Sequence, residues 1–258
     1  MTDRIRGRWE YQRYCTAVEA EVARFVELVE QADPATPVPT CPGWTIAALV
    51  KHHGTTHRWA EHIVRHRPKE RIRSREVEID LPEDEASYPA WLAEGAASLV
   101  ATLRATDPDT PMWTVGADQH ARFWARRVLY EAVVHRADAE LALGREPVID
   151  PETAVDGVDE FLTNLPFFQW LADGVRDLGR HGDTLHLHAT DCAGEWMITL
   201  GPDGVTWEHG HGKGTVAVRA TARDLLLLTY GRLRPANGRF VVFGDQQLLE
   251  HWLKACAF

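Results

Sequence analysis

No apolar run in the 258 residues is long enough to cross a bilayer. The basic start, MTDRIRGRWEYQRY, is not followed by the apolar core that a secretory signal needs. A cytoplasmic protein without a membrane partner is expected. Positive charge is short as well: 28 Lys and Arg against 38 Asp and Glu give a net charge of -10, which repels phosphate backbones unless a local patch outweighs it. The one basic stretch, RHRPKERIRSR at 65–75, has no interleaved aromatics and runs at once into the acidic EVEIDLPEDE. The pair reads as a solvated loop between helices with its charge compensated locally, and no nucleic-acid partner is expected.

Cysteine is sparse and scattered. Cys15, Cys41, Cys192 and Cys256 form no C-x-x-C pair, which argues against a disulfide framework and a cysteine-based zinc ribbon. Buried or half-buried free thiols are expected. Neither G-x-G-x-x-G nor a P-loop is present, and the glycines of GHGKG fall between predicted strands. There is no internal repeat and no low-complexity segment.

Histidine, by contrast, is plentiful: His52, His53, His57, His62 and His66 stand in one short segment. The length favours two packed units. Val18, Val22, Phe25 and Val29 define one face of a helix from about Trp9 to Gln31. ADPATPVPTCPGW breaks it, and Thr45 is placed to cap a second helix that runs to about Arg67. On that helix Leu49, His52, Thr56 and Trp59 make one stripe and Ile46, Val50, His53 and His57 another. A third helix is expected from about Glu85 to Arg104, and a fourth from about Gln119 to Leu143, stopped by Gly144. Four amphipathic helices with loops between them suggest a four-helix bundle over 1–150.

Beyond Pro147 the pattern changes. DPETAVDGVDEFLTNLPFFQWLA reads as a further helix, a connector between units. TLHLHAT, EWMITLG, GVTWEHG and TVAVRAT then alternate with turn-rich DCAGE, PDG and HGKG. ARDLLLLTYGRL, RFVVFGD and QQLLEHWLKA read as helix, strand and helix. The unit 151–258 is therefore expected to be α+β, with a mainly antiparallel sheet.

Chemistry is carried by YEAVVH, where Glu131 and His135, four apart, project from one helix face. Turned inward, a carboxylate and an imidazole are costly to bury alone. A divalent cation completed by a third ligand from another helix resolves that cost, and His52 sits on a helix that can supply it. A His₂Glu set leaves a coordination position open, as catalytic zinc sites do. The spacing also admits other readings. Glu131 lies four after Arg127 and could simply pair with it at the surface, and His135 could be half-buried against a backbone carbonyl. His53 and His57 form a rival metal-binding pair, for which a plain polar helix face is the preferred reading. Trp44 and Trp59 could wall a pocket, with core packing preferred.

At these residues the sequence resembles the mycothiol-dependent maleylpyruvate isomerase family. VPTCPGWTIAALVKHHGTTHRW at 38–59 is similar to that family's T-C-P-G-W-x-x-x-x-L-V-x-H-x-G segment, and FWARRVLYEAVVHRADAE at 123–140 to its E-x-x-x-H motif followed by R-x-D-A-E. ARDLLLLTYGRL and VVFGDQQLLEHW resemble its C-terminal domain. The resemblance implies a DinB-like bundle whose metal, zinc the expected ion, is held by His52, Glu131 and His135. It further implies mycothiol as thiol co-substrate, with Arg232 the arginine implicated in activity. The chain departs from the pattern at His53, where an apolar residue is common, and at Tyr230, where tryptophan is usual. Both departures touch the pocket rather than the ligands.

What the resemblance implies is a metal-held thiolate used for cis–trans isomerisation or S-transfer on a small electrophile, by a monomer or homodimer. On sequence alone Arg232 could equally be a helix C-terminal arginine facing the macrodipole. A hydrolase that activates water at the same open site, and a non-catalytic binding module of the same fold, are the alternatives.

Overall fold

The computed structural model describes residues 9–235 and 238–256. The segment MTDRIRGR, part of the start read above as lacking a signal core, lies outside the described residues. The chain divides into two compact units. One is Met1–Thr114 with Asp118–Pro147, and the other is Val115–Ala117 with Val148–Phe258.

The first unit is built from α1 (Tyr11–Val29), α2 (Ile46–His66), α3 (Tyr88–Arg104) and α4 (Ala121–Ala142). α1 packs on α3 and α4, and α2 packs on the same two, which makes a four-helix bundle. Thr45 caps α2, its side chain accepting a hydrogen bond from Ala48 N, and α2 stops at Arg67 in the left-handed region. α4 ends before Gly144, whose φ of +67° costs a glycine little. Val18, Val22, Phe25, Leu49, Leu92, Leu99, Leu103 and Val128 are buried, so the periodic apolar positions form the core.

The basic and acidic stretches between α2 and α3 do form a loop, but a pinned one. Trp59 Nε1 donates to Ile72 O at 2.9 Å, and Trp91 Nε1 donates to Ile79 O at 2.9 Å. Gly54 and Trp91 bring α2 and α3 together: a Cβ on Gly54 would lie 2.1 Å from the Trp91 ring.

In the second unit the long helix expected after Pro147 is two helices. α5 (Pro151–Asn164) is followed by a 3-10 turn at Leu165–Phe167 and then α6 (Gln169–Arg176). Pro166 in that turn lacks the N–H that a continuing helix would need, which accounts for the break. α5 is not a free connector, because it packs on α7 (Ala222–Thr229) within the unit.

The strands are β1 (Thr184–Ala189), β2 (Glu195–Gly201), β3 (Gly204–His209), β4 (Val216–Ala220) and β5 (Val241–Gly244), and α8 (Gln246–Ala255) follows. They form one sheet in the order β3-β2-β1-β4-β5, antiparallel except for the β1–β4 pair. Leu185, Leu187, Trp196, Ile198, Val216 and Val218 are all buried and share one face by register. That alternation is the period-2 pattern of a sheet packed on one side. No described helix is long and apolar enough to cross a membrane. All four cysteines are free thiols, Cys15 and Cys256 buried and the other two half-buried.

Candidate metal centre

α2 and α4 face each other in the bundle, and each contributes the expected donors. His52 lies one and a half turns into α2. Glu131 and His135, one turn apart, lie near the middle of α4. Their ligand atoms fall within 4.8 Å of one another. His135 Nε2 is 3.3 Å from Glu131 Oε2, and His52 Nε2 is 4.0 Å from the same oxygen. Exposure rises across the three side chains, from 9% at His135 through 22% at Glu131 to 41% at His52. The cluster is therefore rooted in the core and open at its His52 end.

The other side-chain atom of Glu131 and of His135 is engaged elsewhere. Glu131 Oε1 accepts from Arg127 Nη2 at 2.5 Å. Arg127 is itself buried, so this is an interior pair and not the surface pair that spacing alone allowed. Burial by itself would raise the Glu131 pKa. The Arg127 charge and the hydrogen bond with His135 reverse that and hold the carboxyl well below its ordinary range.

His135 Nδ1 stands 2.9 Å from Asp138 Oδ2, a side-chain partner where a backbone carbonyl was the simpler expectation. An ionised carboxylate only accepts, so Nδ1 holds a proton toward Asp138, and Nε2 is the nitrogen that faces Glu131 and His52. Burial lowers the His135 pKa, but Asp138 and Glu131 outweigh it and raise it to about 8.

Asp138 is in turn held by the loop before α2. Thr40 Oγ1 donates to Asp138 Oδ1 at 2.6 Å, and Cys41 Sγ donates to Oδ2 at 3.5 Å. The loop is closed by Cys41 N on Val38 O, Trp44 N on Cys41 O and Val38 N on Trp44 O. Gly43, at φ +84°, makes the turn. The same loop sets the Trp44 ring 4.9 Å from the His52 ring and 6.4 Å from the His135 ring. Trp44 thus walls the cluster. Trp59 does not: it packs edge-on against Trp124 at 5.2 Å.

Cys41, His135 and Asp138 also lie close enough to share an ion. That set would take His135 through Nδ1, the nitrogen already committed to Asp138. Asp138 is placed instead as a carboxylate that orients His135 through Nδ1. Sequence reasoning gave it no role, although it stands three after His135 inside the R-x-D-A-E run.

His53 and His57 correct the expectation of a polar helix face, for both are fully buried. They share the stripe of Ile46 and Val50, and that face turns into the core. The rings are 4.2 Å apart, with His53 edge-on to Phe25 at 5.4 Å. Neither ring nitrogen of either residue has a hydrogen-bond partner among the described residues. Burial pushes both pKa values down, that of His57 to about 3, so both rings are neutral.

Arg232 belongs to the second unit, just past the end of α7. Gly231, at φ +73°, turns the chain there, and Arg232 N donates to Leu227 O at 2.7 Å. Its Nη1 donates to Tyr230 O at 2.7 Å, as a helix C-terminal arginine does.

Fold and site together define a two-unit α+β protein with a His₂Glu cluster of metal-ligand type inside a four-helix bundle. Residues 15–140 match the family model described as the mycothiol maleylpyruvate isomerase N-terminal domain, and residues 152–251 match the MDMPI C-terminal domain. The chain belongs to the mycothiol-dependent maleylpyruvate isomerase family.

Its backbone is similar to the crystal structure of the mycothiol-dependent maleylpyruvate isomerase, with TM-score 0.58 at 14% identity over 91% of this chain and 93% of that one. It is also similar to a histidine-to-alanine mutant of that isomerase, with TM-score 0.63 at 13% identity over the same shares. No curated protein matches the sequence significantly.

Proposed function

We propose that this chain is a thiol-dependent enzyme that holds a divalent metal, zinc by donor type, between His52, Glu131 and His135. Mycothiol is its co-substrate, for cis–trans isomerisation or S-transfer on a small electrophile. The observation that carries this reading is the convergence of His52 Nε2, Glu131 Oε2 and His135 Nε2, with the second atoms of Glu131 and His135 tied down by Arg127 and Asp138. Two imidazoles and a carboxylate suit zinc, and three protein ligands leave a position for a fourth. The family supports a thiol as the occupant of that position.

When bound, the metal supplies a Lewis acid that lowers a thiol's pKa and keeps its sulfur as thiolate at neutral pH. The chain's own residues prepare that position. Arg127 keeps Glu131 ionised, Asp138 holds a proton of His135 on Nδ1 so that Nε2 is the nitrogen a metal would take, and Trp44 shields one side while His52 opens to solvent. In isomerisation, sulfur adds to one carbon of a conjugated cis double bond and leaves a single bond free to rotate. Elimination of the same sulfur then restores the double bond in the trans form, with no net change in atoms or electrons. In S-transfer the carbon–sulfur bond is kept and a leaving group departs. Arg232 is proposed to bind a carboxylate of thiol or substrate through its guanidinium fork.

The test is metal analysis of the wild type and His52→Ala, each titrated with mycothiol while zinc-edge absorption is followed, beside isomerisation assays on unsaturated acids with and without thiol. One equivalent of zinc that the wild type holds and His52→Ala lacks, with sulfur entering its shell and activity that requires thiol, is the expected outcome. Turnover that persists without thiol would instead make the chain a hydrolase that activates water. Bound zinc indifferent to thiol, with no turnover at all, would make it a binding module.

A further inference from the structure

The second unit carries another convergence of ligand-type side chains, on the sheet face opposite its apolar one. His186 and His188 are two apart on β1 and so share a face. Glu195 of β2 lies directly across from His188, and Met197 lies across from His186. β3 and β4 flank the β2–β1 pair, so the short link between them, 210–215, has to cross this face from the level of Trp196 to the level of Leu185.

The link does so in close contact with the sheet. A Cβ on Gly214 would lie 3.0 Å from His186 N and 3.2 Å from His186 Cβ, and one on Gly212 would lie 3.4 Å from Met197 Sδ. At Gly214 a side chain would crowd the strand backbone, whereas at Gly212 it would make ordinary contact. The crossing buries His186 to 5% exposure and delivers His211 to the cluster.

One oxygen is the focus of all three rings. Glu195 Oε1 accepts from His188 Nδ1 and, at 2.9 Å, from His211 Nδ1, and it lies 3.8 Å from His186 Nε2. His186 Nε2 is buried and has no hydrogen-bond partner among the described residues. Hydrogen bonding explains His188 and His211 but not His186, whose orphaned nitrogen points into the group at a cost in desolvation. One ligand atom from each of the four residues lies within 4.8 Å of the others.

The geometry points to a second metal site in this protein, a closed His₃Glu centre formed by His186, His188, Glu195 and His211 that binds a divalent transition cation of the zinc class. Three imidazoles select against calcium and magnesium, which prefer all-oxygen shells. Four protein ligands leave no open position, which is the character of a structural site rather than a catalytic one. Its effect would be to clamp the 210–215 crossing to β1 and β2. The inference does not rest on the reading of the bundle site, and the experiment keeps the two apart.

Full-length chain without a histidine tag is stripped of metal and titrated with zinc and with cobalt, in wild type, His52→Ala, His188→Ala/His211→Ala and the combination of all three. His52→Ala is expected to keep a single equivalent whose cobalt spectrum is tetrahedral and free of thiolate bands. The combined variant should bind none, and zinc should raise the melting temperature of His52→Ala but not of the combined variant. Glu195→Gln, which keeps the side chain's shape, is expected to weaken the site by more than the roughly 10–100-fold typical of losing an outer-shell partner.

A His52→Ala chain that is folded by circular dichroism yet binds no metal would overturn the proposal. So would binding in His52→Ala that the His188→Ala/His211→Ala change leaves untouched. Loss of metal in the wild type through the His188 and His211 changes, with His52→Ala having no effect, would uphold this site and remove the bundle site instead.

Discussion

Asp138 Oδ2 lies 2.9 Å from Nδ1 of His135, and Oδ1 of the same carboxylate accepts from Thr40 at 2.6 Å. One fully buried aspartate thereby joins α4 to the loop that precedes α2. Asp138→Asn keeps the volume but loses the charge and the fixed acceptor. It is expected to weaken metal binding at His52, Glu131 and His135 by about 10–100-fold, measured by competition with a chromophoric chelator in the Glu195→Gln background. Unchanged affinity would show that Asp138 does not orient His135.

Gly54→Ala tests the α2–α3 contact. The added carbon would fall 2.1 Å from the buried Trp91 ring, so backbone or ring must shift. Overpacking of this kind costs about 1–3 kcal/mol, more than the better helix propensity of alanine returns. Chemical denaturation should show a lower midpoint with an unchanged slope. A variant as stable as the wild type would mean that the helices are not held this close.

His57 makes a prediction in pH. Its folded pKa is pushed down to about 3, by burial first and then by the charge of Arg58, whereas an unfolded chain titrates it near 6.5. Below about pH 6.5 the unfolded state takes up a proton that the folded state refuses, so stability is full above that pH and is lost as pH falls toward 3. His57→Leu removes this proton. Between pH 7 and pH 5 its unfolding free energy should fall by about 1–2 kcal/mol less than that of the wild type. Parallel curves for the two proteins would refute the assignment.

Arg136 is a buried cation shared by two carboxylates: its Nε donates to Glu21 at 2.6 Å across to α1, and its Nη1 donates to Glu140 at 2.6 Å. Glu21→Ala leaves Glu140 in place, so the loss should be about 2 kcal/mol, short of the roughly 3–5 kcal/mol of a stranded buried ion. The Glu19–Arg104 pair, 2.8 Å apart but 60% and 40% exposed, is the control. Glu19→Ala should cost under about 1 kcal/mol. Equal effects in the two variants would show that burial does not govern these pairs.

Much of this protein is written in local pattern. The 3.6-residue spacing of Val18, Val22 and Phe25, the Thr45 cap, the Gly144 stop and the alternation in TLHLHAT and EWMITLG state helices and strands without reference to anything distant. The three clustered side chains of the bundle were legible for the same reason: Glu131 and His135 share a helix face by spacing, and the motif resemblance pointed to His52.

Tertiary structure decided the rest, because burial and partnership depend on residues far apart in the chain. Pattern could not tell that the stripe of His53 and His57 faces inward, nor that Arg127 and Glu131 pair in the interior. Asp138 gained its role only when a loop about a hundred residues earlier folded onto it. The H-x-H of β1 was visible as two histidines on one strand face, but Glu195 and His211 reach it through strand pairing and a crossing link, and neither has a sequence period. Period and caps set the elements. Which polar atoms meet, and so which chemistry is available, was settled by packing.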